Sequence, residues 1–200
     1  MLKEIQDRRS IRAYRPDPVP VDFIETVLLA GSLAPSSKNR QPWRFTVVRG
    51  DEKKQALAVM REGLAREARQ PLLPDSAPFL GGASRSLAVM ESAPVVVFVT
   101  DSISCNLSAP ASMDGRVSDI CNAQSIGACV QNMCLQANAL GLGCLWICDI
   151  FFAWDELRRW LEGFPAAALA LGFPDECPPP RPRLPLSQLV RWRGFGEVIT

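Results

Sequence analysis

Three segments of this 200-residue chain carry side chains that bind anions and amides. Arginine binds phosphate through a planar pair of donors, and serine and asparagine add short hydroxyl and amide groups. Because the segments are spread over the whole length, they predict one anionic, ring-bearing cofactor that is held from several sides. The segments are Arg8-Arg9-Ser10-Ile11-Arg12, Ala34-Pro35-Ser36-Ser37-Lys38-Asn39-Arg40-Gln41-Pro42-Trp43 and Arg181-Pro182-Arg183-Leu184-Pro185.

The arginines suggest a clamp for a phosphate monoester. Arg8, Arg181 and Arg183 supply charge-assisted hydrogen bonds, and Ser10 adds a hydroxyl donor. Any one of these arginines taken alone would be interpreted as a solvated surface charge, and it is their flanking prolines and the second segment that favour a clamp. The run from Pro35 to Asn39 is also compatible with an ordinary turn between a helix and a strand.

The balance of charged residues argues against nucleic acid and anionic membranes as binding partners. Lysine and arginine total 22 and aspartate and glutamate total 21, so the chain lacks the basic field that nucleic-acid or anionic-membrane binding requires. The charged start Met1-Leu2-Lys3-Glu4 does not resemble a signal peptide, and no apolar run reaches the roughly 18 to 20 residues of a membrane span. We therefore expect a cytoplasmic protein whose partners are small molecules, not nucleic acid or membrane.

Several catalytic classes are excluded because the chain contains no histidine. Ser-His-Asp and Cys-His hydrolases and HExxH metalloproteases all need imidazole. Neither a GxxxxGK[ST] nor a GxGxxG phosphate loop is present. The seven cysteines, an odd number, are expected to be reduced, and the pair Cys144 and Cys148 has no second ligand pair to complete a metal site. Chemistry here must come from other side chains or from a borrowed cofactor.

Hydrophobic periodicity predicts one domain over residues 1–200 in which helices and strands alternate. Residues 70–86, with three prolines and a Gly-Gly pair, are expected to form a lid or an excursion outside the core. The proline-rich tail 174–200 is expected to be an extended arm that reaches a site or a partner. The predicted helices are 2–8, 21–33, 51–69, 118–140 and 154–161, and the predicted strands are 43–48, 94–100, 144–148 and 166–171.

Taken in order, these segments resemble the nitroreductase family of FMN-dependent oxidoreductases. The resemblance extends over residues 3–193 and includes Gln124-Ser125-Ile126-Gly127-Ala128, which opens into a helix ending Ala139-Leu140-Gly141-Leu142-Gly143. It implies an α+β fold with a mixed, mainly antiparallel sheet wrapped by helices. It also implies an entwined homodimer with two FMN sites at the interface.

The resemblance assigns roles to individual residues. The first arginine segment and the tail arginines would surround the phosphate and ribityl chain, and Arg12 would place positive charge near the ring N1 and C2 carbonyl, which favours the reduced ring. The strand Leu145 to Asp149 would run beside the isoalloxazine, with a backbone amide near Cys148 facing N5. The sequence departs from common family patterns there, since Trp146 replaces a frequent proline and Cys148-Asp149 a frequent Glu-Gly or Gly-Gly. The expected cofactor-binding residues are Arg8, Arg9, Ser10, Arg12, Pro35, Ser36, Ser37, Asn39, Trp146, Ile147, Cys148, Arg181 and Arg183, with the second segment supplied by the other subunit.

The implied activity is a two-electron reaction in which NADH or NADPH gives hydride to flavin N5 and a second substrate receives it by a ping-pong route. Nitroaromatics, quinones and related compounds are the expected acceptors, and no side chain need act as a base. Two alternatives stay open: a specialised relative, such as a reductive dehalogenase or a flavin-modifying enzyme, and a flavin-binding redox sensor that does not turn over. Cys148 is expected to be structural, because a neighbouring aspartate disfavours a reactive thiolate.

Overall fold

A four-stranded antiparallel sheet lies at the centre of the computed structural model, which describes residues 1–103 and 112–194. Its strand order is β1-β2-β4-β3. The strands are β1 (Trp43–Val48), β2 (Val95–Asp101), β3 (Gly143–Ile147) and β4 (Phe164–Gly172). The helices of the described residues are α1 (Lys3–Asp7), α2 (Val21–Ser32), α3 (Gly50–Arg69), α4 (Leu80–Ser92), α5 (Met113–Ala139), α6 (Trp154–Leu161) and α7 (Leu186–Leu189).

The sheet is covered by helices on both faces. All seven residues of β2 are buried, and their side chains alternate between two hydrophobic clusters. Val96 and Phe98 belong to the cluster with α3, α4 and α6. Val95 and Val97 belong to the cluster with α2 and α5. Because both faces are dry, β2 forms a continuous apolar run, as the sequence predicted.

The free edge of β3 is extended by the chain that precedes α2. Ser10 forms a parallel bridge with Cys144, and the Ile11 N–H donates to the Cys144 carbonyl at 3.0 Å. Further along, Tyr14 pairs with Pro174 in an antiparallel bridge. The parallel bridge makes the arrangement mixed but mainly antiparallel, which confirms the predicted α+β class.

Helix α5 begins five residues before its predicted start. The Ser112 hydroxyl accepts a 3.1 Å hydrogen bond from the Gly115 N–H, which satisfies one of the free donors of the first turn. At the other end, Gly141 has a φ of 73°, a conformation that glycine adopts without steric cost. Residues 104–111, which precede this helix, lie outside the described residues.

The segment 70–86 differs from expectation in its second half. Residues 80–86 form the start of α4, and the Ala83 and Met90 side chains of that helix are fully buried. Only the first part, residues 70–79, connects α3 and α4 without an α-helix. The remaining predicted elements agree with the structure to within a few residues, and β1 and α6 have the predicted bounds.

Among residues 1–103 and 112–194, no helix combines the length and the apolar composition that crossing a bilayer requires.

Candidate functional site

A cavity of about 640 Å³ lies between the first arginine segment and the proline-rich tail. Its size is typical of small-molecule sites. Five arginines line it, and no aspartate or glutamate among the described residues does. The structure therefore brings together two of the three segments singled out in the sequence, in a form suited to an anion. The predicted site residues on its wall are Arg8, Arg9, Ser10, Arg12, Arg181 and Arg183.

Three of the five guanidinium groups of this cavity donate to backbone oxygens. Arg9 donates to the Gln6 and Arg8 carbonyls at 2.8 and 2.9 Å, and Arg12 donates to the Ser10 carbonyl at 3.1 Å. Arg183 donates to two neighbouring carbonyls of the tail. Within the described part of the chain, none of the five forms a salt bridge with a carboxylate. Their positive charge therefore remains available to a ligand.

Sequence reasoning missed two residues here: Glu176, which attaches the tail to the first arginine segment, and Tyr14, whose hydroxyl bonds within that segment. The Glu176 carboxylate accepts from the Arg12 N–H and, at 3.3 Å, from the Ala13 N–H. The Tyr14 hydroxyl lies 2.8 Å from the Ile11 carbonyl, and burial raises the pKa of this phenol well above its ordinary value, so that it stays a donor. The only available signal was weak: Tyr14 is the single tyrosine of the chain.

The second predicted segment lies elsewhere in the chain. The Ser37 N–H donates to the Ser125 hydroxyl at 3.3 Å, which places Ser37 beside the middle of α5. A smaller cavity of about 220 Å³ shares Arg8 and Arg9 with the arginine cavity and is also lined by Asn138 near the end of α5. From Ser125 to Asn138 the helix extends about 20 Å at its usual rise. Pro35, Ser36, Ser37 and Asn39 therefore do not line the arginine cavity of their own chain.

The backbone of this second segment is strained. Lys38, Asn39 and Gln41 have φ values of 54°, 53° and 48°, in the left-handed region that residues other than glycine seldom adopt. The Ser36 hydroxyl accepts a 3.0 Å hydrogen bond from the Gln41 N–H, which closes the loop. Strain of this kind costs on the order of 1–3 kcal/mol per residue and clusters at ligand sites.

The end of β3 presents both side-chain and backbone groups. Trp146 is 38% exposed and lies on the α5 side of the sheet, with its indole ring 3.6 Å from the position that a Cβ of Gly127 would occupy. The Ile147 side chain is buried in the core on the opposite face, so only its backbone is available to a ligand. Neither the Cys148 N–H nor the Asp149 N–H has an acceptor among the described residues. Two free donors thus follow the strand.

Cys148 is an exposed residue whose thiol has a raised pKa. Burial, followed by the negative charge of Asp149, raises its pKa, whereas a hydrogen bond with Trp146 acts in the opposite direction. At neutral pH the thiolate fraction is therefore smaller than for an ordinary cysteine. The six described cysteines are free thiols, and Cys105 lies outside the described residues.

The chain is similar to proteins of known sequence and known structure. A sequence model described as "Nitroreductase family" matches residues 5–173. A protein of Archaeoglobus fulgidus, provisionally named NADH dehydrogenase/NAD(P)H nitroreductase, is 30% identical over 88% of the chain and 86% of its own length. An NADH dehydrogenase of Thermus thermophilus is 46% identical, but over only 33% of the chain and 32% of its own length. The crystal structure of a provisionally named nitroreductase from Desulfovibrio desulfuricans in complex with FMN is 27% identical, with a TM-score of 0.70 over 97% of this chain and 96% of that one.

Proposed function

Because the chain belongs to the nitroreductase family, we propose that it is an FMN-dependent oxidoreductase that takes hydride from NADH or NADPH and passes it to a small acceptor. The convergence of five arginines on one cavity is the observation that carries this proposal. It is supported by a relative named for NADH and NAD(P)H chemistry and by a structural neighbour in complex with FMN.

The residues present fit FMN at the phosphate. A phosphate monoester carries nearly two negative charges at neutral pH, and the cavity offers unneutralised guanidinium groups from Arg8, Arg181 and Arg183. Ser10 adds a hydroxyl donor at the same wall. The chain shows no sequence motif for binding an adenosine group, which favours FMN over FAD.

The β3 end fits the ring. When bound, FMN supplies a ring that accepts hydride from one substrate and gives it to the next in a ping-pong order. The free N–H groups of Cys148 and Asp149 are directed donors for such a ring, with Ile147 contributing backbone and Trp146 an aromatic surface. Arg12 supplies positive charge that stabilises negative charge on the ring. No side chain of this chain need move a proton as a general base, which suits a sequence without histidine.

A second copy of the chain completes the site in this proposal. The segment from Pro35 to Asn39 lines neither the arginine cavity nor the smaller cavity in its own chain and contacts α5 at Ser125, about 20 Å along the helix from Asn138, so the partner's copy would line the ring instead. Helix α5 exposes Met113, Val117 and Ile120 at helical spacing, an apolar stripe that a homodimer would bury. We also propose that the proline-rich arm contacts the partner chain.

The acceptors proposed are nitroaromatics, quinones or related compounds. The test is to purify the protein, release and identify the flavin, and mix the loaded protein anaerobically with NADH or NADPH. Bleaching of the yellow colour, followed by reoxidation with a nitroarene or quinone, is the expected result. A flavin that resists both nicotinamides would favour a redox sensor, and failure of all acceptors after rapid bleaching would favour a specialised relative. A protein that binds no FMN would overturn the proposal.

A further inference from the structure

Ser86 of α4 forms a hydrogen bond unlike those of its neighbouring serines. A serine inside a helix usually donates to a carbonyl of its own preceding turn. Ser84 does this toward the Leu80 carbonyl at 3.0 Å, and Ser92 toward the Val89 carbonyl at 2.9 Å. Ser86 instead donates across the fold to the carboxylate of Asp149. This bond joins α4 to the residue that follows Cys148.

The position of Ser86 explains why it reaches Asp149. Ala83, Leu87 and Met90 form the buried face of α4, and Ser86 falls on that face at helical spacing. The same hydrophobic cluster contains Ile147 of β3. The Asp149 carboxylate is therefore turned toward the α4 side of the sheet, away from the α5 side on which Trp146 lies.

The turn that begins at Asp149 is fixed at its other end by packing. Ile150 and Ala153 are fully buried. A Cβ on Gly63 of α3 would lie only 2.3 Å from the Ala153 Cβ, so the two backbones are in close contact. The Ser86 hydrogen bond fixes the orientation of Asp149 at the start of this turn, where the free N–H groups of Cys148 and Asp149 lie.

We propose that Ser86 is a positioning residue of the flavin site: its hydroxyl holds the Asp149 carboxylate on the α4 side and so keeps a negative charge away from the ring while leaving two N–H donors free. This inference rests on the proposed function. If the hydrogen bond is lost, the carboxylate can rotate toward the ring. A negative charge there disfavours reduction, because the reduced ring carries negative charge.

The experiment measures the two-electron reduction potential of the bound flavin in the wild type and in four variants. Ser86→Ala is expected to lower the potential by about 30 mV or more, which corresponds to a tenfold change in the equilibrium constant of a two-electron couple. Asp149→Asn in the Ser86→Ala background is expected to restore the wild-type potential, because the mobile side chain is then neutral. Ser86→Thr keeps the hydroxyl and is expected to have the wild-type reduction potential. Ser84→Ala, from the same helix, is the matched control.

A second measurement tests the Ser86–Asp149 hydrogen bond in protein that contains no flavin. In cofactor-free protein, Ser86→Ala is expected to increase hydrogen exchange at the Phe151 N–H, which donates to the Cys148 carbonyl at 3.1 Å in the same turn, whereas Ser84→Ala is not. Should the alanine variant fail to fold, Ser86→Cys provides a side chain of similar size with a weaker donor and is expected to shift the potential in the same direction.

The outcomes separate this inference from the proposed function. A wild-type protein that binds no FMN would overturn both. A flavin-loaded wild type whose potential is unchanged by Ser86→Ala would overturn only the role of Ser86. A lowered potential that Asp149→Asn does not restore would also overturn it, because the carboxylate would then not be the cause.

Discussion

The buried carboxylate of Glu67 accepts a 2.8 Å hydrogen bond from the N–H of Leu72, five residues further along the chain. The Leu73 N–H donates to the other carboxylate oxygen at 3.0 Å, and Arg66 forms an ion pair with the same carboxylate. Burial acts to raise the pKa of Glu67, but these hydrogen bonds outweigh it and hold the pKa below its ordinary value. Glu67 thus attaches the segment after α3 to the body of the protein.

Replacing this carboxylate is expected to destabilise the fold. Glu67→Gln places an amide NH₂ group against backbone donors, so we expect a loss of about 3 kcal/mol, the usual cost of breaking a buried charged network. Urea unfolding at pH 7 measures it. Glu62→Gln, on the exposed face of the same helix, is the control and is expected to change stability by less than about 0.5 kcal/mol.

The same carboxylate predicts a pH dependence. Because the pKa of Glu67 is lower in the folded protein than its ordinary value of about 4.5, its contribution to stability is present above that pH and is lost as the pH falls below it. The stability difference between wild type and Glu67→Gln is therefore expected to shrink between pH 5 and pH 3. A difference that grows on acidification would contradict this.

The tail arginines are expected to hold the cofactor phosphate. Each charge-assisted hydrogen bond is worth about 1.5 to 3 kcal/mol, so Arg181→Ala combined with Arg183→Ala is expected to weaken FMN binding by at least a hundredfold. Arg191→Ala combined with Arg193→Ala removes the same charge at the same spacing, outside the cavity wall. Fluorescence titration of the apoprotein with FMN compares the two. Full flavin occupancy in the first double variant would remove Arg181 and Arg183 from the site.

The close contact between Gly143 and Ile11 predicts that the strand edge controls the first arginine segment. A Cβ at Gly143 would lie 2.8 Å from three atoms of Ile11, so Gly143→Ala must displace the segment that carries Ser10 and Arg12. We expect a loss of about 1 to 3 kcal/mol in stability together with weaker FMN binding. At Gly127 the added methyl meets only an ordinary 3.6 Å contact with Trp146, and Gly127→Ala is expected to retain both properties.

An apolar residue on α5 tests whether a second chain completes the site. Ile120 is 58% exposed in the single chain, and Ile120→Asp would place a charge in the proposed dimer interface. We expect dissociation at micromolar concentration and, with it, loss of FMN. Analytical ultracentrifugation with flavin absorbance follows both together. As a control, Phe79→Asp changes a similarly exposed residue outside α5 and is expected to leave the dimer intact. If Ile120→Asp gave a folded monomer that keeps its flavin, the proposal of a shared site would be contradicted.

The Cys148 thiol is expected to be dispensable. Its raised pKa leaves little thiolate at neutral pH, so Cys148→Ala should retain FMN and keep turnover within about tenfold, or roughly 1.4 kcal/mol in the barrier. Steady-state kinetics with a nitroarene checks this. A thousandfold loss with the flavin still bound would indicate thiol chemistry beside the ring.

The sequence alone was sufficient to predict most helices and strands of the fold. The continuous apolar run from Val95 to Val99 is typical of a strand buried on both faces, and the amphipathic pattern from Trp154 to Leu161 has the 3.6-residue period of a helix; both are local properties of the chain. The order of the arginine and Pro-Ser-Ser segments was also sufficient to identify the family. Residues 80–86 were misjudged because their glycines and neighbouring prolines resemble a loop, whereas burial of Ala83 stabilises a helix.

The tertiary structure decided which of these segments meet. Glu176 bonds to Arg12 and Ser86 to Asp149 across 164 and 63 residues of sequence, and no local pattern marks either pair. Both contacts exist because the strand order β1-β2-β4-β3 brings the end of β4 beside the first arginine segment and the end of β3 beside α4. The sequence also could not reveal that Ser37 lies far along α5 from the arginine cavity. The order of the motifs shows which groups are present, but only the packing of the chain determines the distances between them.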